Sequence, residues 1–451
     1  MAKTPPLTRK EKETLMSLSS DKDFNEVFNV YRSFGVDIDV KCRFGEGIIE
    51  VGDNRYKVDY SPKMNKARGR KHALYAVMSD YTGITLPWGS LTGIRPTKLA
   101  YELLVQGKTV DDLADYGVSK EKIEVVKAIL ENQEPFTTSY KKVNFYVHIP
   151  FCSSRCNYCS FVSMPVNKKT LPLMQRYTEL LKGEIESGLK LLSENGYEID
   201  SIYVGGGTPT ALSTKQLSEV LQPLSGLNVE FTVEAGRPDT IDTEKLNAMK
   251  NANVTRISVN PQTFSDETLK RIGRNHTSED IYNVYSAAKG MFDINMDLIA
   301  GLTGENMADF ELSIDKVIEL KPENVTVHTL SKKNGSLLKN NNDAVGSDVS
   351  EMTEYAYKRL SDAGYSPYYL YRQKNMLDNL ENIGYALDGK VCANNVTTME
   401  EFYSVFACGA GAISKKVTKD GIFRLANVRD VILYIDQYDQ RLRKKENFFF
   451  N

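Results

Sequence analysis

At 451 residues the chain is longer than one ordinary core supports, so two or three domains are expected. Formal net charge is -2 with 26% charged residues, a balance that offers no footprint for nucleic acid or an anionic membrane surface. No window approaches about 18 consecutive apolar residues, and MAKTPPLTRKEKE lacks the apolar stretch of a secretory signal. The expectation is a cytoplasmic protein with no membrane span and no nucleic-acid partner.

In chain order, residues 1–142 read as a separate α+β module. IIEVGDNRYKVDY (48–60) alternates about a GDN turn, as a hairpin does, while 68–81 and 117–132 carry helical patterns. The Gly- and Pro-punctuated segment LPWGSLTGIRPTK (86–98) holds the only tryptophan, Trp88, which reads as a buried anchor for that loop. Residues 143–340 then alternate short apolar runs with longer amphipathic stretches. The runs are VNFYVHIP (143–150), SIYVGGG (201–207), EFTVEAG (230–236), RISVNP (256–261), INMDLIAG (294–301) and NVTVHTL (324–330). Helical patterns fall at 171–195, 214–224, 242–252, 278–291 and 305–320. Residues 341–451 read as an α+β extension that covers a substrate, with a helix at 349–363, a tyrosine-rich extended run and a glycine-rich turn, CGAGAIS (408–414). The closing FFFN carries no assignable reading.

Six strand–helix repeats predict an α/β fold whose parallel sheet curls into a partial (β/α)6 barrel, with an open doubly wound sheet as the alternative. Both put the ligand site at the carboxyl ends of the strands. Each predicted strand ends in reactive chemistry: the cysteine loop, GGGTPT, Glu234, Gln262, Asp297 and His328 in turn.

FCSSRCNYC (151–159) places Cys152, Cys156 and Cys159 at C-x3-C-x2-C spacing straight after the first of these strands. Three thiolates can ligate three irons of a [4Fe–4S] cubane and leave the fourth open, where four cysteines would close it. The alternative is zinc, but a structural zinc site wants a fourth ligand, and none sits at the usual spacing. Cys42, Cys392 and Cys408 lie far apart and read as small buried residues.

The spacing, with Tyr158 before the last cysteine, resembles the signature of the radical S-adenosylmethionine (SAM) superfamily. YVHIPFC is similar to the subgroup that contains HemN-type oxygen-independent coproporphyrinogen III oxidases and HemW-type haem chaperones. The resemblance implies a [4Fe–4S] cluster on Cys152, Cys156 and Cys159, with SAM chelated at the open iron. It also implies SAM contacts from Tyr146, Tyr158, the glycine motif Gly205, Gly206, Gly207 with Thr208, then Glu234, Gln262, Arg274 and Asp297. A second SAM per site is implied by the same resemblance alone.

EAGRPDTI (234–241) and YYLYRQKNMLDNLENIGYA (368–386) resemble the HemZ branch, described by similarity as coproporphyrinogen III dehydrogenases. The implied reaction is oxidative decarboxylation of propionates to vinyls in porphyrin and haem biosynthesis, with electrons exchanged through a low-potential partner such as flavodoxin or ferredoxin. A tetrapyrrole substrate needs cations and flat walls. Arg372 and Lys374 among Tyr368, Tyr369 and Tyr371 offer these, as does His328 at the sixth strand end; a buried edge strand and a core histidine are the plain readings of the same residues. Two departures stand out. Ser160 and Phe161 follow Cys159 where HemN carries a further cysteine. NLENIGYA (379–386) lacks the histidine and tryptophan of the HemW haem motif. A decarboxylating dehydrogenase, a haem-binding trafficking protein and another radical reaction, such as methyl transfer on a porphyrin, therefore all stand as expectations.

Overall fold

The computed structural model describes residues 22–43, 46–58, 64–93, 95–161, 163–331, 349–373 and 376–450. These residues form two compact units. One comprises the described residues up to Lys127 with Arg372–Glu381, the other those of Ala128–Tyr371 and Asn382–Asn451. The division falls inside the helix Lys120–Gln133, ahead of residue 142. Its last turn belongs with the second unit because Asn132 Nδ2 donates to Pro367 O at 3.0 Å and Gln133 Nε2 to Tyr368 O at 2.9 Å.

In the first unit, β1 (Val40–Arg43), β2 (Ile48–Val51) and β3 (Asn54–Lys57) make an antiparallel meander, with the predicted hairpin turn joining β2 to β3. The helices Lys22–Ser33 and Lys66–Thr82 bury Phe28, Tyr31, Leu74 and Met78 against Ile49 and Val51. Trp88 is fully buried, and its indole N–H donates to Glu381 at 2.6 Å. Lys122 pairs with the same carboxylate at 2.6 Å, so the expected anchor role of Trp88 is the one it fills.

The second unit is built on β4 (Lys142–Ile149), β7 (Glu198–Gly206), β8 (Glu230–Gly236), β9 (Arg256–Val259), β10 (Asp293–Ala300) and β11 (Asn324–Thr329). Between β4 and β7 lie the two-residue strands β5 (Phe151–Cys152) and β6 (Met164–Pro165), which pair with each other. The six long strands are mutually parallel and neighbour one another in chain order. Helices at Leu171–Glu194, Thr214–Leu221, Thr243–Asn251, Ser278–Ala288 and Met307–Leu320 connect them. On the outer edge of β11, β12 (Ser366–Tyr371) and β13 (Asn382–Ala386) add antiparallel strands. On that of β4, β14 (Ser404–Cys408) adds a seventh parallel strand, followed by antiparallel β15 (Ile413–Thr418) and β16 (Gly421–Ala426). The order β12-β13-β11-β10-β9-β8-β7-β4-β14-β15-β16 does not close on itself among the described residues. The result is the partial barrel.

Alternation in the strands sets two faces. Val143, Phe145 and Val147 of β4 are fully buried on the helix side, with Phe145 stacked on Phe406 at 5.6 Å. Asn144, Tyr146 and His148 turn to the inner face, where Asn144 accepts from Ser201 Oγ at 2.9 Å. The chain ends in the helix Tyr438–Phe450, which carries the FFF run: Phe449 is buried edge-on against Phe406 at 5.1 Å. From that helix Lys445 reaches the buried Glu184 carboxylate, which also accepts from Tyr434 Oη at 2.6 Å and Gly409 N at 2.8 Å.

Breaking a buried ion pair from one side leaves an uncompensated charge. Lys445→Ala is expected to destabilise the second unit by about 3–5 kcal/mol, read as a lowered urea midpoint, whereas exposed Lys444→Ala leaves the midpoint unchanged.

Candidate active site

The site is assembled from strand ends. The register of β4 with β7 puts Ile149 beside Gly206, so the cysteine loop leaves the sheet next to the glycine motif. Gly207 N donates to Ile149 O at 2.8 Å and Thr208 N to Phe151 O at 2.7 Å, clamping one loop to the other. The side chains meet too, with Cys152 Sγ 3.2 Å from Thr208 Oγ1. Glycine is demanded here by space: a Cβ on Gly206, at φ +112°, would lie 2.6 Å from the His148 ring, and one on Gly205 the same distance from Glu234.

Glu234 sits at the end of β8, accepting from Tyr203 Oη at 2.6 Å and from Gly206 N at 3.1 Å. Burial pushes its carboxyl above the ordinary carboxylate range, although both hydrogen bonds oppose the rise. Both are neutral donors. A half-buried acid so placed lacks a cation among its hydrogen-bond partners, which is what an ammonium or sulfonium group supplies. Tyr146 lies on the inner face of β4, its ring 6.2 Å from that of Tyr203. Tyr203 itself escaped the sequence reading because an aromatic in a buried strand looks like core.

The cysteine loop is held from the opposite side. Asn157 N donates to Ile272 O at 3.1 Å, and Arg274 Nε and Nη2 donate to Tyr158 Oη at 3.2 and 2.8 Å. The remaining Arg274 nitrogen is buried without a hydrogen-bond partner, an orphan donor suited to an anion such as a carboxylate. All three cysteines are free thiols, with Cys156 buried and Cys152 and Cys159 half-buried. Among the described residues no group of three or more His, Cys, Asp or Glu closes to the spacing of a single bound ion. A cubane asks for a wider triangle, since each thiolate takes a different iron.

Gln262 takes a left-handed φ of +70° just past β9, and its N–H donates to Asp297 O at 2.9 Å. Asp297 accepts from Asn295 Nδ2 at 2.7 Å, and its other oxygen lies 3.6 Å from His328 Nε2. Burial would raise the Asp297 carboxyl, but His328, Asn295 and Thr326 outweigh it and hold it below its usual range. His328 Nδ1 is in turn 3.4 Å from Tyr371 Oη. Arg372 is placed elsewhere: in the first unit its guanidinium lies over Trp88 at 5.7 Å and donates to the carbonyls of Leu91, Leu380 and Asn379. Those bonds give it a structural task that the pattern of tyrosines around it did not announce. Lys374 lies outside the described residues.

The donor set matches what the cluster and SAM present: thiols for iron, a half-buried carboxylate for an ammonium, an orphan guanidinium nitrogen for a carboxylate. Comparison with known proteins points the same way. The Radical SAM superfamily pattern matches residues 146–317. The chain is 36% identical over 438 residues to an oxygen-independent coproporphyrinogen-III oxidase-like protein, HemZ, of Bacillus subtilis, covering 90% of this chain and 87% of the relative. It belongs to the HemN/HemW-type radical SAM family. Members of this family use a [4Fe–4S] cluster and SAM. The chain is also 36% identical over 195 residues to the haem chaperone HemW of Bacillus subtilis, covering 41% of this chain and 49% of that one. Its fold is similar to that of HemN, the Escherichia coli coproporphyrinogen III oxidase, with a TM-score of 0.54 and 21% identity over 70% of this chain and 73% of that chain.

Two outcomes are expected of a radical SAM site built this way. Cys156→Ala loses the iron–sulfur absorbance and SAM cleavage together in anaerobically reconstituted protein. Gly206→Ala keeps the iron but, by crowding His148, weakens SAM binding by about tenfold or more in equilibrium dialysis.

Proposed function

We propose that the chain is a radical SAM oxidoreductase of porphyrin biosynthesis, converting propionate side chains of coproporphyrinogen III to vinyls without oxygen. The observation that carries this reading is the convergence at one end of the sheet of the three-thiol loop, the glycine edge of β7 and the half-buried Glu234 carboxylate. In this reading Cys152, Cys156 and Cys159 hold the cluster, and Glu234 with the Gly205–Gly207 backbone holds the methionyl ammonium. Thr208, Gln262, Arg274, Asp297, Tyr146 and Tyr158 complete the SAM pocket. When bound, the cofactors supply a 5′-deoxyadenosyl radical.

To become a vinyl, each propionate would give one β-hydrogen atom to the deoxyadenosyl radical and one electron to an external one-electron acceptor as CO2 leaves, so no side-chain base is required. The protein's part is to orient the substrate and keep water out. In this reading His328, faced by Asp297 at Nε2 and by Tyr371 at Nδ1, lines the substrate pocket with the part of its side chain that remains exposed, 26%. Tyr369, stacked on Tyr371 at 6.3 Å, extends a flat wall beside it. A low-potential flavodoxin or ferredoxin delivers the electron that primes the cluster.

Haem trafficking is the second reading, favoured by the likeness to HemW over 195 residues. An axial ligand is what haem needs. In NLENIGYA, Asn382–Ala386 is wholly buried in β13 and Glu381 is bonded to Trp88 and Lys122. That strand offers no histidine.

Incubation of reduced, reconstituted protein with SAM and coproporphyrinogen III under anaerobic conditions is expected to give vinyl products and CO2. Tight stoichiometric haem binding without turnover would favour trafficking, and deoxyadenosine with neither outcome another radical reaction. In the same assay His328→Ala is expected to lower vinyl formation by roughly tenfold, through loss of its contact with the substrate and of the brace between Asp297 and Tyr371, while SAM binding is kept.

A further inference from the structure

Arg237 has no part in the SAM pocket described above, yet it is only 3% exposed and directed at the cluster loop. It follows β8 directly and opens the short turn Pro238–Thr240. Its fork is divided between two tasks. Nε and Nη2 donate to the two oxygens of Asp239, at 2.9 and 3.0 Å, which fixes the plane of the guanidinium. Nη1 then points into the loop, donating to Ser154 Oγ at 2.9 Å and to Cys156 Sγ at 3.5 Å. Asp239 is itself held by Ser153 Oγ at 3.2 Å.

We propose that Arg237 is a positioning residue that sets the reduction potential of the cluster, through an N–H···S hydrogen bond to the Cys156 thiolate. The proposal rests on the three cysteines holding that cluster. Each thiolate ligand brings a negative charge, and reduction adds one more electron from the low-potential partner, with no bond made or broken at the arginine. A donor at a ligand sulfur favours the form with more charge on sulfur, which is the reduced one. Asp239 offsets the net charge of the guanidinium but leaves the Nη1 hydrogens aimed at sulfur, so the effect is local. The second bond, to Ser154, keeps the donor in place from the loop side. A lysine would carry the charge without the planar fork, and could not face Asp239 and the sulfur in the same geometry.

The test uses the full chain, reconstituted with iron and sulfide, as wild type, Arg237→Gln and Arg237→Lys. Iron content is measured first, and the cluster's midpoint potential is then read by an electron paramagnetic resonance redox titration. All three are expected to load equally. The glutamine variant is expected to disfavour reduction by about tenfold, a shift of about 59 mV to more negative potential for one electron, with the lysine variant in between. A loaded glutamine variant with the wild-type potential overturns the proposal. Failure of both variants to keep iron also overturns it, and makes Arg237 a splint for the loop alone. Wild-type protein that takes up no iron fails instead the assignment of the cysteines, a separate result from an unmoved potential.

Discussion

The arrangement depends on the parallel pairing of β4 with β7. From Asn144 against Ser201, past an irregularity after Val143, β4 keeps one register with β7 as far as Ile149 against Gly206. Side chains alternate with period two, so a one-residue slip would turn Tyr146 and His148 to the helix side and Phe145 and Val147 inward. Fully buried apolar residues on one face and a hydrogen-bonded Asn144–Ser201 pair on the other penalise that slip from both directions. Once the register is set, the cysteine loop and the glycine edge emerge side by side. Tyr203, two residues before Gly205, then faces the partner that needs it, Glu234.

Polar groups on the inner face are arranged so that few must be satisfied twice. Thr326 Oγ1 donates to Asn295, Asn295 to Asp297, and Asp297 faces His328, which faces Tyr371. Lower down, Glu230 accepts from Ala393 N and Asn394 N, capping the helix Ala393–Met399, and lies 3.6 Å from Arg256. Nearer the strand ends Glu234 has neutral hydrogen-bond partners only, and one Arg274 nitrogen has none. Unspent capacity also remains lower down, at Arg256 Nε, so it is the charge of the group and its place at the strand ends that mark Glu234 and Arg274 for a ligand.

Much of this was legible in the sequence, and the reasons are physical. Buried parallel strands read as β-branched runs, and the six that carry the site do so, each within a few residues of its observed limits. Thiol spacing on a loop is local, so the cysteines needed no tertiary knowledge. What escaped depended on contacts distant in sequence. β14 was visible only as the approach to a glycine-rich turn, because nothing near Ser404 says that it will pair with Val143. Nothing in the sequence around Lys445 says that it will meet Glu184. Arg372, read as a substrate cation, donates to the neighbouring carbonyls of Asn379 and Leu380 and to that of Leu91, which is distant in sequence. Arg237 sat unremarked in EAGRPDTI, although the Asp two residues later was the signal for a fixed guanidinium.

The seventh parallel strand has a consequence for how the protein is made. β4 carries the cysteine loop, and its outer edge is covered by β14, from residues 404–408, which is backed in turn by Lys445 and Phe449 of the final helix. During synthesis that edge therefore stands open until residues 404–408 have been made. An uncovered parallel strand is an invitation to pair with another chain. The helix Tyr438–Phe450 acts as a clasp behind β14, and a chain cut before residue 404 would still contain every group of the site while leaving exposed the edge of the strand that presents it.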